Sequence, residues 1–465
     1  MSTPLYLHPD LLPAQVNTVI CVLATYPMGL VFRSVPGTTA RHFLTAAMGL
    51  AMCFLCFREH AAQLVFMTVF TWLIIKYAGK SAPTISLVYC MSHLFAQQFY
   101  QRTYYWGDYG LDITGPLMIL CQKMSQLAYS VHDANSDPEK LSKLQKQLVL
   151  KRQPTLLETF GYAFNFSSIL LGPNYQYVEY QEQIEVNAAP SGAFPGVKKM
   201  LAAFLYIAVK EGAGGILGIS TNPHDMFDPE SEVSQRNMLG KYGHIMLSMM
   251  VYRCQFYFAW TLAEGACNCA GLGYKKPAKG GEKDAKDASV GTWDGVQNVD
   301  PIACETAQNL KAVLDNWNQK TQTWLVYVCY ERTPKSINVY ATMGLSAVWH
   351  GPYLGYLMTF MTAAFVTEAA RKIRRTIRPY FLPEKDSAGN TPPLKMFYDV
   401  LTWFVTLSVL NYMVGPFVML EAQKSHEYFN TFYYVPHAII IGTFLVLPGK
   451  KKAPKKEGEA AKKGQ

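Results

Sequence analysis

The chain is short of charge. Asp, Glu, Lys and Arg make up 16% of its 465 residues, where a soluble domain carries about 25%. Half of the residues are hydrophobic and 13% are aromatic, which points to a membrane protein. Strongly apolar character is in short supply too. Mean hydropathy is only +0.04, below what a simple bundle of lipid-facing helices would give. Both shortages fit many helices interrupted by polar groups, which a bilayer tolerates where those groups face protein or a water-filled cavity.

Further absences narrow the reading. The opening stretch MSTPLYLHPDLLPAQVN lacks a basic n-region, so a cleaved signal peptide is not expected. No internal repeat is evident, which weighs against a transporter. No His, Cys and carboxylate cluster has ligand spacing, so no metal is expected. The ten cysteines are scattered. Cys53 and Cys56 form a CxxC, but within LAMCFLCF they read as small helix-packing residues rather than a redox or zinc pair.

What is present is a series of apolar runs near the ~20 residues that a span needs. They are Ala14–Phe32, His42–Phe57, Ala61–Tyr77, Pro83–Phe99, Pro116–Val131, Leu156–Leu171, Met200–Ile219, His244–Ala263, Val339–Val366, Phe397–Leu420 and Phe432–Leu447. The expectation is an all-α polytopic membrane protein of about 10–11 transmembrane helices, some re-entrant, over residues 1–448.

Between the runs, Glu139–Arg152 places Leu141, Leu144 and Leu148 at helical spacing, the pattern of an interfacial amphipathic helix. A Gly/Lys-rich linker begins at Tyr274. Arg371–Pro379 and the tail at 449–465 are basic and account for the net charge of +9. Beside spans, such clusters follow the positive-inside rule rather than marking a nucleic-acid partner. Two spans separate Arg371–Arg378 from the tail, so both belong on the cytosolic side. The tail ends Lys462-Lys463-Gly464-Gln465, resembling a dilysine retrieval signal of endoplasmic reticulum membrane proteins; a chance pair in a Lys-rich tail is the alternative. The sequon Asn165-Phe166-Ser167 lies in an apolar run, so glycosylation is not expected there.

Two polar residues are out of place. His350 lies about ten residues into the Val339–Val366 run, about 15 Å along a helix, near the middle of a core about 30 Å thick. An ionisable side chain there marks a functional site by default, and burial favours the uncharged imidazole that accepts a proton. Gly351-Pro352 permits a local break beside it. The plainer alternative is a packing histidine bonded to a carbonyl. Asn318 lies between Trp317 and Trp324 in DNWNQKTQTWL, just upstream of LVYVCY. An amide donor that meets a neutral base suits acyl transfer, although spacing alone does not bring the two together. Glu264 is either a chamber residue or an interface carboxylate paired with a nearby base.

These segments carry a resemblance. Trp317-Asn318 with Trp324, then Ser346-Ala347-Val348-Trp349-His350-Gly351, resemble the signature segments of the membrane-bound O-acyltransferase family. Leu314–Asn318, Thr323–Leu325, Val328–Arg332, Gly115–Ile119, Gln122-Lys123, Val131–Asp133 and Tyr257–Leu262 are similar to its lysophospholipid acyltransferase branch. So are Gly172-Pro173 and Pro416–Leu420. The likeness covers about residues 14 to 448 and is nearest to members acylating lysophosphatidylethanolamine and lysophosphatidylserine. It implies a many-helix core around an intramembrane chamber, with His350 and Asn318 catalytic and Trp317, Trp324 and Trp349 as chamber walls. It also implies acyl-CoA as co-substrate with no bound cofactor, and a lysophospholipid acceptor carrying an ethanolamine, serine or choline head group. The NAAPSGAFPG region and the linker depart from the pattern. So does Tyr353-Leu354-Gly355-Tyr356, where members often have Tyr-Pro-Gly-Tyr. These differences bear on head group and leave the chemistry intact. A peptide or glycan acceptor, and a transporter built on broken spans, are the other readings. The oligomeric state is not legible.

Overall fold

The computed structural model describes residues 14–105, 112–186, 189–190, 192–215, 222–276, 291–381 and 394–447. The opening stretch 1–13, most of the linker after Tyr274 and the tail with Lys462-Lys463 lie outside the described residues. Among them the chain forms eighteen α-helices and no strand beyond one bridge between Lys275 and Thr292.

Five long helices come first: α1 (Ala14–Arg33), α2 (Thr38–Phe57), α3 (Ala62–Tyr77), α4 (Ala82–Tyr104) and α5 (Thr114–Asp133). Three short ones follow, α6 (Lys143–Leu148), α7 (Leu156–Ala163) and α8 (Tyr177–Glu185). The long pair α9 (Phe194–Gly215) and α10 (Met238–Cys269) lies side by side. Next are α11 (Pro301–Glu305), α12 (Leu310–Asn316), α13 (Gln319–Val328) and α14 (Asn338–His350). The last four are α15 (Leu354–Phe381), α16 (Lys395–Met419), α17 (Ala422–Thr431) and α18 (Val435–Val446).

Val16–Arg33, Thr38–Tyr77 and Lys395–Met419 are long and apolar enough to cross a membrane on composition alone, and α17 and α18 form a pair bent by 80°. The other long helices are more polar because they turn polar side chains inward. On α5, Gln122, Lys123, Ser125 and Gln126 are all buried, while Phe43, Phe54, Phe66 and Phe70 on α2 and α3 are exposed. This inside-out arrangement explains a hydropathy near zero in an all-α polytopic membrane protein.

Three segments differ from the pattern read in the sequence. Leu156–Leu171 is not one span: α7 starts at a capping box of Thr155 and Glu158 and ends at Ala163. There the Asn165 side chain takes the N–H and hydroxyl of Ser167 and turns the chain; Asn165 is fully buried. The amphipathic stretch Glu139–Arg152 contracts to α6, opened by a capping box of Ser142 and Gln145. Val339–Val366 is a hairpin instead of a single crossing. Gly351, at φ 125°, breaks it into α14 and α15, a conformation that a side chain disfavours. Tyr340, early in α14, packs on Phe365 of α15 with ring centroids 5.4 Å apart, so the two helices run antiparallel. The start of α14 therefore lies on the side toward which α15 runs to its basic end. All ten cysteines are free; Cys53 and Cys56 are buried in the packing, with the Cys56 sulfur 3.9 Å from that of Cys21.

Candidate active site

His350 is the last residue of α14. At 13 residues, α14 puts the ring about 20 Å along its axis from the exposed turn at Pro334–Ile337. Four aromatic rings surround it. The centroids of Trp349, Phe360 and Phe417 lie 4.7, 5.0 and 5.0 Å away, and that of Tyr356 5.6 Å away. The imidazole is half-buried, and among the described residues no protein group hydrogen-bonds it and no carboxylate pairs with it.

The turn after His350 is held from α4. Gln98, a buried side chain, donates through Nε2 to the Trp349 carbonyl at 2.9 Å. Arg102, one turn further, donates to the Pro352 carbonyl and lies over the Tyr353 ring. A Cβ on Gly351 would meet the Gln98 side chain only at ordinary contact distance, so the backbone conformation alone calls for glycine there. On the other side, Trp349 donates to the Met118 carbonyl at 3.1 Å, and its ring lies 6.0 Å from Trp324. Trp324 is sealed, with its indole N–H on the Ser125 hydroxyl at 2.9 Å. Trp324 and Trp349 thus join α13, α14 and α5 directly behind the histidine.

Asn318 sits where α12 hands over to α13. Its φ of 47° is left-handed, a region that Asn enters more readily than most residues. It is the N-cap of α13, yet its side chain makes no capping bond. Like His350, it is half-buried, with no hydrogen bond from its amide to protein among the described residues. Among the described residues the Asn318 and His350 side chains do not hydrogen-bond each other.

Trp317 belongs to a separate cluster. Its ring packs on Phe256, Tyr257 and Trp260 with centroids 5.8, 5.8 and 5.0 Å away. Behind that cluster, Arg253 forks onto Glu305 at 2.6 and 2.7 Å and reaches Asn411 at 2.6 Å. Tyr257 donates to the same carboxylate at 2.7 Å. Glu264, one turn beyond Trp260 on α10, is fully buried and pairs with Lys199 at 2.8 Å; it is not brought to the rings around His350.

Sequence reasoning left out the residues that hold this geometry. Asn298, buried in the loop before α11, accepts from the first N–H groups of α13. That loop is pinned by Asp294. Burial works against the Asp294 charge, but the Thr292 hydroxyl and Lys275 outweigh it and hold the carboxyl below its ordinary value. Asp133 and Arg332, far apart in sequence, form a forked pair at 3.1 and 2.6 Å, with Tyr327 on the same carboxylate. Among the described residues no group of three His, Cys, Asp or Glu is placed to hold a metal.

The chain itself has known relatives. The profile of the membrane-bound O-acyltransferase family matches residues 99–415, more than half of the chain. The chain is 33% identical to membrane-bound glycerophospholipid O-acyltransferase 2 of Rattus norvegicus, over 96% of this chain and 87% of that protein. It is 31% identical to a lysophospholipid acyltransferase of Schizosaccharomyces pombe, over 95% and 86%. Identity is also 31% to membrane-bound glycerophospholipid O-acyltransferase 1 of Homo sapiens, over 96% and 93%. The chain belongs to the membrane-bound O-acyltransferase family and is an acyl-transferring membrane enzyme.

Proposed function

We propose that the chain moves an acyl group from acyl-CoA to a free hydroxyl of a lysophospholipid, with His350 as general base and Asn318 as amide donor. The observation that carries the reading is the bonding state of these two side chains. Both are half-buried, and neither is hydrogen-bonded to protein among the described residues, so each has its polar atoms open to substrate. The printed names of the relatives, glycerophospholipid and lysophospholipid acyltransferases, support the acceptor class.

In this mechanism an imidazole nitrogen of His350 takes the hydroxyl proton as the oxygen attacks the thioester carbonyl. The new ester C–O bond forms, the C–S bond breaks, and the CoA thiolate leaves and recovers the proton. The Asn318 amide donates to the carbonyl oxygen as charge develops on it. General-base help is worth about 10²–10⁴-fold, and one oxyanion donor about 10²–10³-fold. Trp349, Phe360 and Phe417 keep water from the ring, which limits thioester hydrolysis. Trp324, sealed behind Trp349, backs that wall, and Trp317 packs in the α10 cluster. The pairing of Glu264 with Lys199 favours its reading as a paired carboxylate. The endoplasmic reticulum membrane, with the tail and the anionic CoA on the cytosolic side, is the compartment that the basic segments support.

An acceptor screen tests this. Membranes carrying the wild type or His350→Ala receive labelled oleoyl-CoA and lysophospholipids with ethanolamine, serine and choline head groups, and products are resolved by mass spectrometry. The wild type is expected to acylate a subset, and the variant to lose that activity while keeping its thermal unfolding transition. An active His350→Ala overturns the assignment of the base. A wild type that makes no diacyl phospholipid removes the lipid acceptor and turns the test to peptides.

A further inference from the structure

An asparagine at the N-cap ordinarily spends its side chain there, accepting an N–H from the first turn of its own helix. Asn318 holds that position on α13 and makes no such bond. The first turn is not left bare, however. Asn298, twenty residues earlier in the chain and buried, accepts the Gln319 N–H on its backbone carbonyl at 2.8 Å and the Lys320 N–H on its side-chain oxygen at 3.2 Å. The loop carrying it is fastened to the same place twice more. Asp300 donates its N–H to the Asn316 carbonyl at 3.0 Å. Lys320 reaches back to the Gly295 carbonyl and pairs with Glu179 at 2.9 Å.

We propose that Asn298 is a positioning residue that caps α13 from outside and thereby releases the Asn318 amide for the substrate. The proposal rests on the reading of Asn318 as the amide donor. Its physical content is a competition. The first N–H groups of α13 need acceptors, and the nearest alternative to Asn298 is the side-chain oxygen of Asn318 itself. Removing the Asn298 acceptor turns Asn318 inward as an ordinary cap, and its amide is lost to the reaction. The left-handed backbone at Asn318 belongs to the same arrangement, because it sets the residue apart from the helix that it precedes.

The test compares Asn298→Ala, Asn298→Asp, Asn318→Gly and the double variant Asn298→Ala/Asn318→Gly in the full chain, measuring kcat and both KM values. Asn298→Ala is expected to lose about tenfold or more in kcat, up to the roughly 10²–10³-fold loss of an oxyanion donor, with both KM values within about threefold of wild type. Asn298→Asp keeps the acceptor and restores most of the rate. The double variant is expected to match Asn318→Gly, since two changes acting through one amide do not add. A wild-type kcat in Asn298→Ala overturns the proposal, as does an additive loss in the double variant or a failure of Asn298→Asp to rescue. A wild-type kcat in Asn318→Gly overturns instead the reading of Asn318 beneath it. If Asn298→Ala shows no cooperative unfolding, Asn298→Leu, which fills the same space without an acceptor, replaces it with the same expected and overturning results.

Discussion

Two polar regions of this membrane protein are built from similar side chains and bonded in opposite ways. Between α5, α7 and α8, Gln126 is fully buried and donates to the Tyr162 hydroxyl, the Asn174 amide oxygen and the Tyr175 carbonyl at 2.7, 3.0 and 2.8 Å. Its oxygen accepts from Asn174 and Gln176 at 3.3 and 2.8 Å. Lys123, equally buried, donates to the Tyr162 carbonyl and the Ser168 hydroxyl at 3.0 and 2.9 Å and lies over the Tyr175 ring. Around α13 and α14 the arrangement is reversed. There His350 is ringed by aromatic carbon and Asn318 is relieved of capping, so both keep their polar atoms unbonded to protein. A polar group in a low-dielectric interior either finds a partner or remains costly. The first region uses this rule to lock helices together; in the second the two polar side chains stay unbonded to protein, the feature on which the proposed chemistry rests.

Substitutions sharpen the contrast. The largest effect is expected at His350, where His350→Ala lowers kcat about 10²–10⁴-fold with little change in unfolding temperature, read by acyl transfer and a thermal melt on one preparation. Asn318→Gly comes next, at about 10²–10³-fold in kcat; glycine tolerates the left-handed backbone, so the loss reports the amide alone. In the sealed region the pattern inverts. Gln126→Leu leaves several buried partners unpaired and is expected to cost about 1–3 kcal/mol or more in stability, visible as a lower denaturation midpoint, while kcat per folded molecule stays near wild type. The smallest effect belongs to Trp324→Phe, which loses one buried bond to Ser125, about 1 kcal/mol, and shifts the melt by about one degree. If Gln126→Leu lost kcat without losing stability, the division between scaffold and site would fail.

Much of this was legible in the chain itself. Apolar runs marked most long helices to within a few residues, as at α1, α2, α5 and α16, because a helix in lipid must satisfy its own backbone and therefore shows as a continuous segment. His350 stood out since an ionisable group in such a run needs a reason, and Gly351-Pro352 signalled a break. The direction of that break was hidden. A run of apolar residues is the same whether the chain continues or folds back, and only the φ of Gly351 and the contact of Tyr340 with Phe365 distinguish the two. Leu156–Leu171 misled for a similar reason: Asn165 bends the chain with a local side-chain bond that hydropathy does not register.

Hydropathy and composition are enough to make this an all-α membrane protein with polar linings, and residue type and surroundings single out the histidine and the asparagine; the enzyme class came from the resemblance of the segments around them. Composition and periodicity are properties of neighbours along the chain, and the membrane reading needs nothing more. Which polar groups are paired and which are open is a matter of contacts across the fold. That Asn298 caps the helix of Asn318, and that Gln98 and Arg102 hold the turn beside His350, depends on segments far apart in sequence meeting at hydrogen-bond distance. Whether a polar atom is available for chemistry is a property of that meeting.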